Sequence, residues 1–157
     1  MKNFGKLFAG LVIGSVVGAS VVWKLKDKQK DTKDTNAQKY LTLFRYMNQY
    51  LVTKQRGKSI VDYFNDNGIK TVAIYGMSHI GQRIIDDLQG SNIKVLYGID
   101  RRADRLTYEM DIYKPEDELP EVDAILVTAY DFDEIEEALS QKVDYQIIDF
   151  NDLIFRI

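Results

Sequence analysis

The hydrophobic and polar positions fall into distinct regimes along the chain. Leu7 to Trp23 is an unbroken run without a charge, LFAGLVIGSVVGASVVW. At ~1.5 Å per residue it reaches the short end of the ~17–25 residues that span a hydrocarbon core. Lys24 to Gln38 is polar and without apolar period, the pattern of a tether. From Tyr40 the pattern becomes helical. Tyr40, Leu43, Phe44, Met47, Tyr50 and Leu51 recur at three- and four-residue steps, predicting an amphipathic helix to about Arg56. Ser59 opens a short helix with Ile60, Val61 and Phe64 on one face, and Gly68 ends it.

The remaining chain alternates short apolar runs with helical periods. Lys70–Gly76, Ile93–Asp100, Ala124–Ala129 and Tyr145–Phe150 read as buried parallel strands, and Leu106–Tyr113 as a weaker one. Gln82–Leu88 and Phe132–Lys142 read as the intervening helices, the second capped by Asp131, and Leu153–Ile157 as an apolar tail. This pattern predicts an α/β fold. Its centre is a Rossmann-like parallel sheet of four or five strands in the order 3-2-1-4-5, preceded by an N-terminal transmembrane helix and the amphipathic helix. The domain organisation expected is 1–24 membrane anchor, 25–38 charged linker, and 39–157 amphipathic helix plus Rossmann-like domain.

Charge sharpens this picture. Residues 1–58 hold twelve Lys/Arg and three Asp/Glu, a balance of +9; residues 59–157 hold nine and twenty-one, a balance of −12. An acidic body repels nucleic acid, so no nucleic-acid partner is expected. Lys2 and Lys6 precede the apolar run, and Lys24, Lys26, Lys28, Lys30 and Lys33 follow it. The larger basic cluster stays inside. That predicts a single-pass anchor with the C-terminal domain at the inner face of the cytoplasmic membrane. The competing reading is a signal peptide cleaved near Gly18-Ala19-Ser20. Gly10, Gly14 and Gly18 share one helix face that suits self-association or a partner helix.

Composition excludes several chemistries. There is no cysteine and one histidine, His79, so disulfides, thiolate catalysis and cysteine- or histidine-rich metal sites are absent. Two apparent motifs fail on context. Gly57-Lys58-Ser59 lacks the earlier glycine and the strand of a phosphate loop. Tyr50 and Lys54 have Tyr-x-x-x-Lys spacing but precede the nucleotide motif.

That motif is Gly76-x-Ser78-x-x-Gly81, set between a strand and a helix. Gly76 allows the tight turn, and Gly81 lets the helix pack against the sheet. Ser78 stands where a glycine ordinarily lets a pyrophosphate approach, and offers a hydroxyl instead. The N–H groups of Ser78, His79 and Ile80 would meet phosphate at the helix start. Asp100, twenty-four residues after Gly76, is placed to accept from a ribose hydroxyl. Arg101 follows it, and Thr128 lies at the carboxyl end of the strand on the other side of the switch point. The expected ligand is a nucleotide, with a nucleotide sugar or NAD(P) as the two cofactor classes. No convincing acid–base pair stands out, so the sequence leans away from an enzyme and leaves the question open.

Ile74-Tyr-Gly-Met-Ser-His-Ile-Gly81, Tyr97-Gly-Ile-Asp-Arg101 and Val122-Asp-Ala-Ile-Leu-Val-Thr-Ala129 resemble small Rossmann-like proteins of bacterial cell-surface polysaccharide synthesis. The same segments are similar to the N-terminal nucleotide-sugar-binding domain of bacterial sugar acetyltransferases, although the hexapeptide-repeat domain of those enzymes is missing. The resemblance implies an accessory protein that binds a nucleotide or nucleotide sugar beside a membrane-bound polysaccharide-synthesis partner. The alternatives are a small NAD(P)-dependent enzyme or sensor, and a protein–protein adaptor with a decayed nucleotide site. A homo-oligomer is compatible with each.

Overall fold

A computed structural model describes residues 36–157. The chain divides into two units at residue 41. The six described residues of the first are helical, and the second, 42–157, holds the sheet and its helices. The elements are α1 (residues 36–55), α2 (Ile60–Asp66), β1 (Thr71–Tyr75), α3 (His79–Leu88) and β2 (Lys94–Ile99). They continue with a 3-10 turn at Ala103–Arg105, β3 (Ile112–Tyr113), β4 (Ala124–Val127), α4 (Phe132–Ser140), β5 (Gln146–Asp149) and α5 (Phe150–Arg156).

The five strands form one sheet in the order β3-β2-β1-β4-β5, every pair parallel. This is the sheet that the alternation of apolar runs and helical periods predicts. Residue parity decides which layer each side chain joins. Val72 and Ile74 of β1, with Ala124 and Leu126 of β4, face a cluster containing Phe64, Ile80, Ile84 and Phe150. Ala73, Tyr75, Ile125 and Val127 face the other way, onto Ile135 and Leu139 of α4 and onto Leu119 and Val122. Both faces are covered, which is why these strands read as continuous apolar runs. Each fully buried Ile, Leu or Phe contributes about 1.5–3 kcal/mol against the entropy of ordering the chain.

Three local features depart from expectation. Leu153–Ile157 is not a tail; it lies mostly in α5, whose start is capped by Asp149 accepting from the Asn151 N–H at 2.9 Å. The weak strand shrinks to Ile112–Tyr113, the two residues that pair with Gly98 and Ile99 of β2. The register of β1 against β2 shifts between Val72 and Ala73, so that Leu96 bulges from β2 and is exposed.

The predicted transmembrane helix is corrected. Leu7–Trp23 lies outside the described residues, and among the described residues no helix is long and apolar enough to cross a membrane. The helix that precedes the sheet, α1, has the length, but Lys39, Arg45 and Lys54 lie along it, and a charge near the middle of a bilayer is costly. The described fold is an α/β sheet domain preceded by an amphipathic helix. The placement at the inner face of the cytoplasmic membrane, which followed from the spanning helix, falls with it.

The amphipathic helix packs through part of its apolar stripe. Tyr50 is buried edge-on against Phe150, and the Thr53 hydroxyl donates to the Ile154 carbonyl at 3.0 Å. Leu43, Tyr46 and Met47 are partly buried, whereas Phe44 and Leu51 remain exposed.

Candidate functional site

The site is built where the carboxyl ends of β1, β2 and β4 meet. With the order β3-β2-β1-β4-β5, the chain leaves β1 and β4 on opposite sides of the switch point, where such sheets take their ligands. β1 ends at Tyr75, and Gly76 turns the backbone with φ +98°, a conformation that L side chains rarely adopt. Its N–H still donates to the Ile99 carbonyl at 2.8 Å, so the turn is pinned to β2. On its other side the Thr128 hydroxyl lies 2.8 Å from the Gly76 carbonyl and 3.1 Å from that of Tyr75. Thr128 therefore secures the turn to β4.

Helix α3 starts three residues earlier than expected, at His79, with Ser78 in extended conformation as its N-cap. The Ser78 hydroxyl makes no capping bond. The first N–H to find an intrahelical acceptor is that of Gln82, on the Ser78 carbonyl at 3.0 Å. The N–H groups ahead of it are the unsatisfied donors of a helix start, carrying its partial positive charge. The His79 side chain is exposed, whereas Ile80 is buried in the core, so Ile80 offers a ligand only its backbone. Gly81 is the tightest point. A Cβ there would lie 2.3 Å from the Gly76 carbonyl oxygen, far inside van der Waals contact. The absence of that carbon is what lets the helix start rest against the strand end.

Asp100, at the end of β2, is 7% exposed. One carboxylate oxygen accepts from the Met77 N–H at 3.0 Å and the other from the Arg102 N–H at 2.8 Å. The acid thus braces the glycine turn against the loop after β2. A carboxylate has about four lone-pair positions, so each oxygen retains capacity for a further donor. The Met77 side chain is buried over Gly98, whose missing Cβ leaves room for the sulfur, and the Met77 carbonyl accepts from the Tyr108 hydroxyl at 3.1 Å.

Arg101 is directed elsewhere. Its guanidinium hydrogen-bonds the Tyr75 hydroxyl and feels the carboxylates of Asp131 and Glu134, which together hold its pKa above the usual value. Burial raises the Tyr75 hydroxyl, and Arg101 opposes that shift. Arg101 thus lies toward α4, on the opposite side of the sheet from α3. Arg102 is exposed, its Nε 3.6 Å from Asp100.

Gly76, Ser78, His79, Ile80, Gly81, Asp100 and Thr128 therefore converge on one turn, with Arg101 at its α4 side. Met77, Tyr75 and Tyr108 belong to the same constellation and were not among the expected site residues. Met77 and Tyr75 flank the fingerprint's first glycine, and only the fold brings Tyr108 to it.

The two discarded residues Tyr50 and Lys54 do converge, on Asp87 of α3. The Tyr50 hydroxyl donates to that carboxylate, and burial followed by this bond pushes its pKa well above the ordinary tyrosine value. That is opposite to what a catalytic tyrosine base requires. The trio is a structural pin between α1 and α3.

Comparison with known proteins finds no matching family model, no matching curated protein and no matching solved structure.

Proposed function

We propose that the chain binds a nucleotide or nucleotide sugar at the β1–α3 turn and serves as a non-catalytic accessory protein in cell-surface polysaccharide synthesis. The observation that carries the nucleotide reading is the close approach at Gly81. It puts the unsatisfied N–H groups of an α-helix directly over the carboxyl end of the central strand, beside the switch point. Phosphate would sit at the N–H groups of Ser78 to Ile80, with the Ser78 hydroxyl as an added donor. The ribose would lie toward Asp100. The polysaccharide context rests on the resemblance of the segments ending at Gly81, Arg101 and Ala129.

A second reading draws on Asp100. Both of its oxygens already hold backbone N–H groups, which favours an adaptor whose nucleotide site has closed. A thermal-shift panel of NAD, NADP, UDP and UDP-sugars on the full chain separates the two. A ligand at about 100 times its Kd stabilises the fold by about 2.7 kcal/mol. The binding reading expects at least one compound to raise the melting temperature. A panel without a shift leaves the adaptor.

A further inference from the structure

We infer that a second copy of this chain docks on the face formed by α1 and α3, giving a two-fold dimer. Between these helices runs an open groove of about 560 Å3, walled by Phe44, Met47 and Leu51 of α1 and by Arg83 and Asp86 of α3, with Tyr50 among its lining residues. Phe44 is 67% exposed and Leu51 55% exposed. A large apolar side chain left in water beside an apolar groove is a knob next to a hole.

Three observations select a second copy as the occupant. First, Phe44, Met47 and Leu51 follow one another at three and four residues along α1, the seam by which helices pair with a like seam. Second, knob and groove lie on the same face, so a two-fold axis satisfies both at once. Each Phe44 enters the partner's groove, as an isologous contact requires. Third, the rim is electrically self-cancelling. Lys54 pairs with Asp87, and Arg83 pairs with Asp86 at 2.8 Å, two cations and two anions. The body from residue 59 onward carries twenty-one acidic and nine basic residues, so two faces drawn from that body would repel each other. This rim would not, and it offers no excess charge to attract an acidic or basic foreign partner. The face lies along the second half of α3, whereas the glycine turn lies at its start, so the dimer stands or falls independently of nucleotide binding.

The test uses the full chain, whose lack of cysteine gives a clean background for introduced thiols. Sedimentation over a concentration series should show a monomer–dimer equilibrium. Phe44→Glu should raise the dimer dissociation constant by roughly tenfold or more, because it places a charge in the apolar contact. Its melting temperature at dilution should stay that of the wild type, since the side chain is mostly in water. Asn48→Cys, on the rim, should be joined into covalent dimers by a short bismaleimide, while Glu137→Cys on α4 should not. A chain that stays monomeric would overturn the proposal. So would association unaffected by Phe44→Glu, or a foreign protein in the groove of a monomeric chain.

Discussion

Replacing Gly81 with alanine sets two effects against each other, and the structure decides between them. Alanine is favoured over glycine inside a helix by about 1 kcal/mol. The new Cβ, however, would stand 2.3 Å from the Gly76 carbonyl oxygen, 3.2 Å from its carbon and 3.4 Å from Ile74 Cγ2. Two of these neighbours are backbone, held by the Gly76–Ile99 and Thr128–Gly76 hydrogen bonds, and cannot rotate away. Restoring contact at about 3.3 Å needs a retreat of the helix start by roughly 1 Å. Such a shift would loosen Ile80 and Ile84 in the core and stretch the Met77–Asp100 bond. A 2.3 Å contact against fixed backbone belongs to the upper half of the range of about 1–3 kcal/mol that overpacking costs, about 2–3 kcal/mol, so destabilisation exceeds the helix gain. Urea unfolding should show a lower midpoint at unchanged slope, by about 1–2 kcal/mol net. Gly81→Ala that unfolds at or above the wild-type midpoint would mean that the close approach is not there, and the geometry of the turn would have to be redrawn.

Asp100→Ala should remove two bonds to a carboxylate and leave the Met77 N–H buried without an acceptor. Denaturation should record a loss on the order of 2–4 kcal/mol, and a neutral outcome would exclude the brace. Asp149 is shifted upward by burial, so its ionisation opposes folding. The sign is that of a raised folded-state pKa: the group's favourable share is full below its unfolded pKa and lost as pH rises through the folded one. Asp149→Asn keeps an oxygen for the Asn151 N–H and should therefore raise the melting temperature at pH 7, the gain fading below about pH 4. A lower melting temperature at pH 7 would refute this. Asp123 has the opposite sign. The Lys70 and Thr71 N–H groups lower its pKa, so its stabilisation is present above the unfolded pKa and lost as pH falls through the folded one. Asp123→Ala should thus narrow the stability difference between pH 7 and pH 3, and an unchanged difference would show that these bonds do not persist in solution.

The sheet was legible because burial on both faces forces strands to be apolar throughout. Lys70–Gly76 and Ala124–Ala129 could therefore be recognised without knowing their neighbours. The 3-10 turn and the two-residue β3 were not legible, since Leu106, Tyr108 and Met110 mimic strand alternation but are fixed by packing against the first core cluster. Helix α5 was hidden by its shortness; its signal was Asp149 as cap, with Phe150, Leu153 and Ile154 at helical spacing. At the site, spacing alone located Gly76, Gly81 and Asp100. It gave no warning that Asp100 would hold Met77 and Arg102, or that Arg101 would turn to Tyr75. Both depend on how the loop after β2 folds back, which only tertiary contacts fix. The period of α1 identified the apolar stripe but not which part of it is buried: Phe44 and Leu51 stay exposed while Tyr50 packs inward, because a stripe can be wider than the contact it makes.

The central claim is that nucleotide phosphate sits on the start of α3. Its most direct test is the backbone amide spectrum of the 15N-labelled chain titrated with the compounds of the thermal panel. The account predicts that a binding compound moves the amides of Ser78, His79, Ile80 and Gly81 most, with smaller changes at Arg102 and Thr128. Amides at the turn that stay fixed under saturating nucleotide, or shifts confined to the groove between α1 and α3, would contradict it.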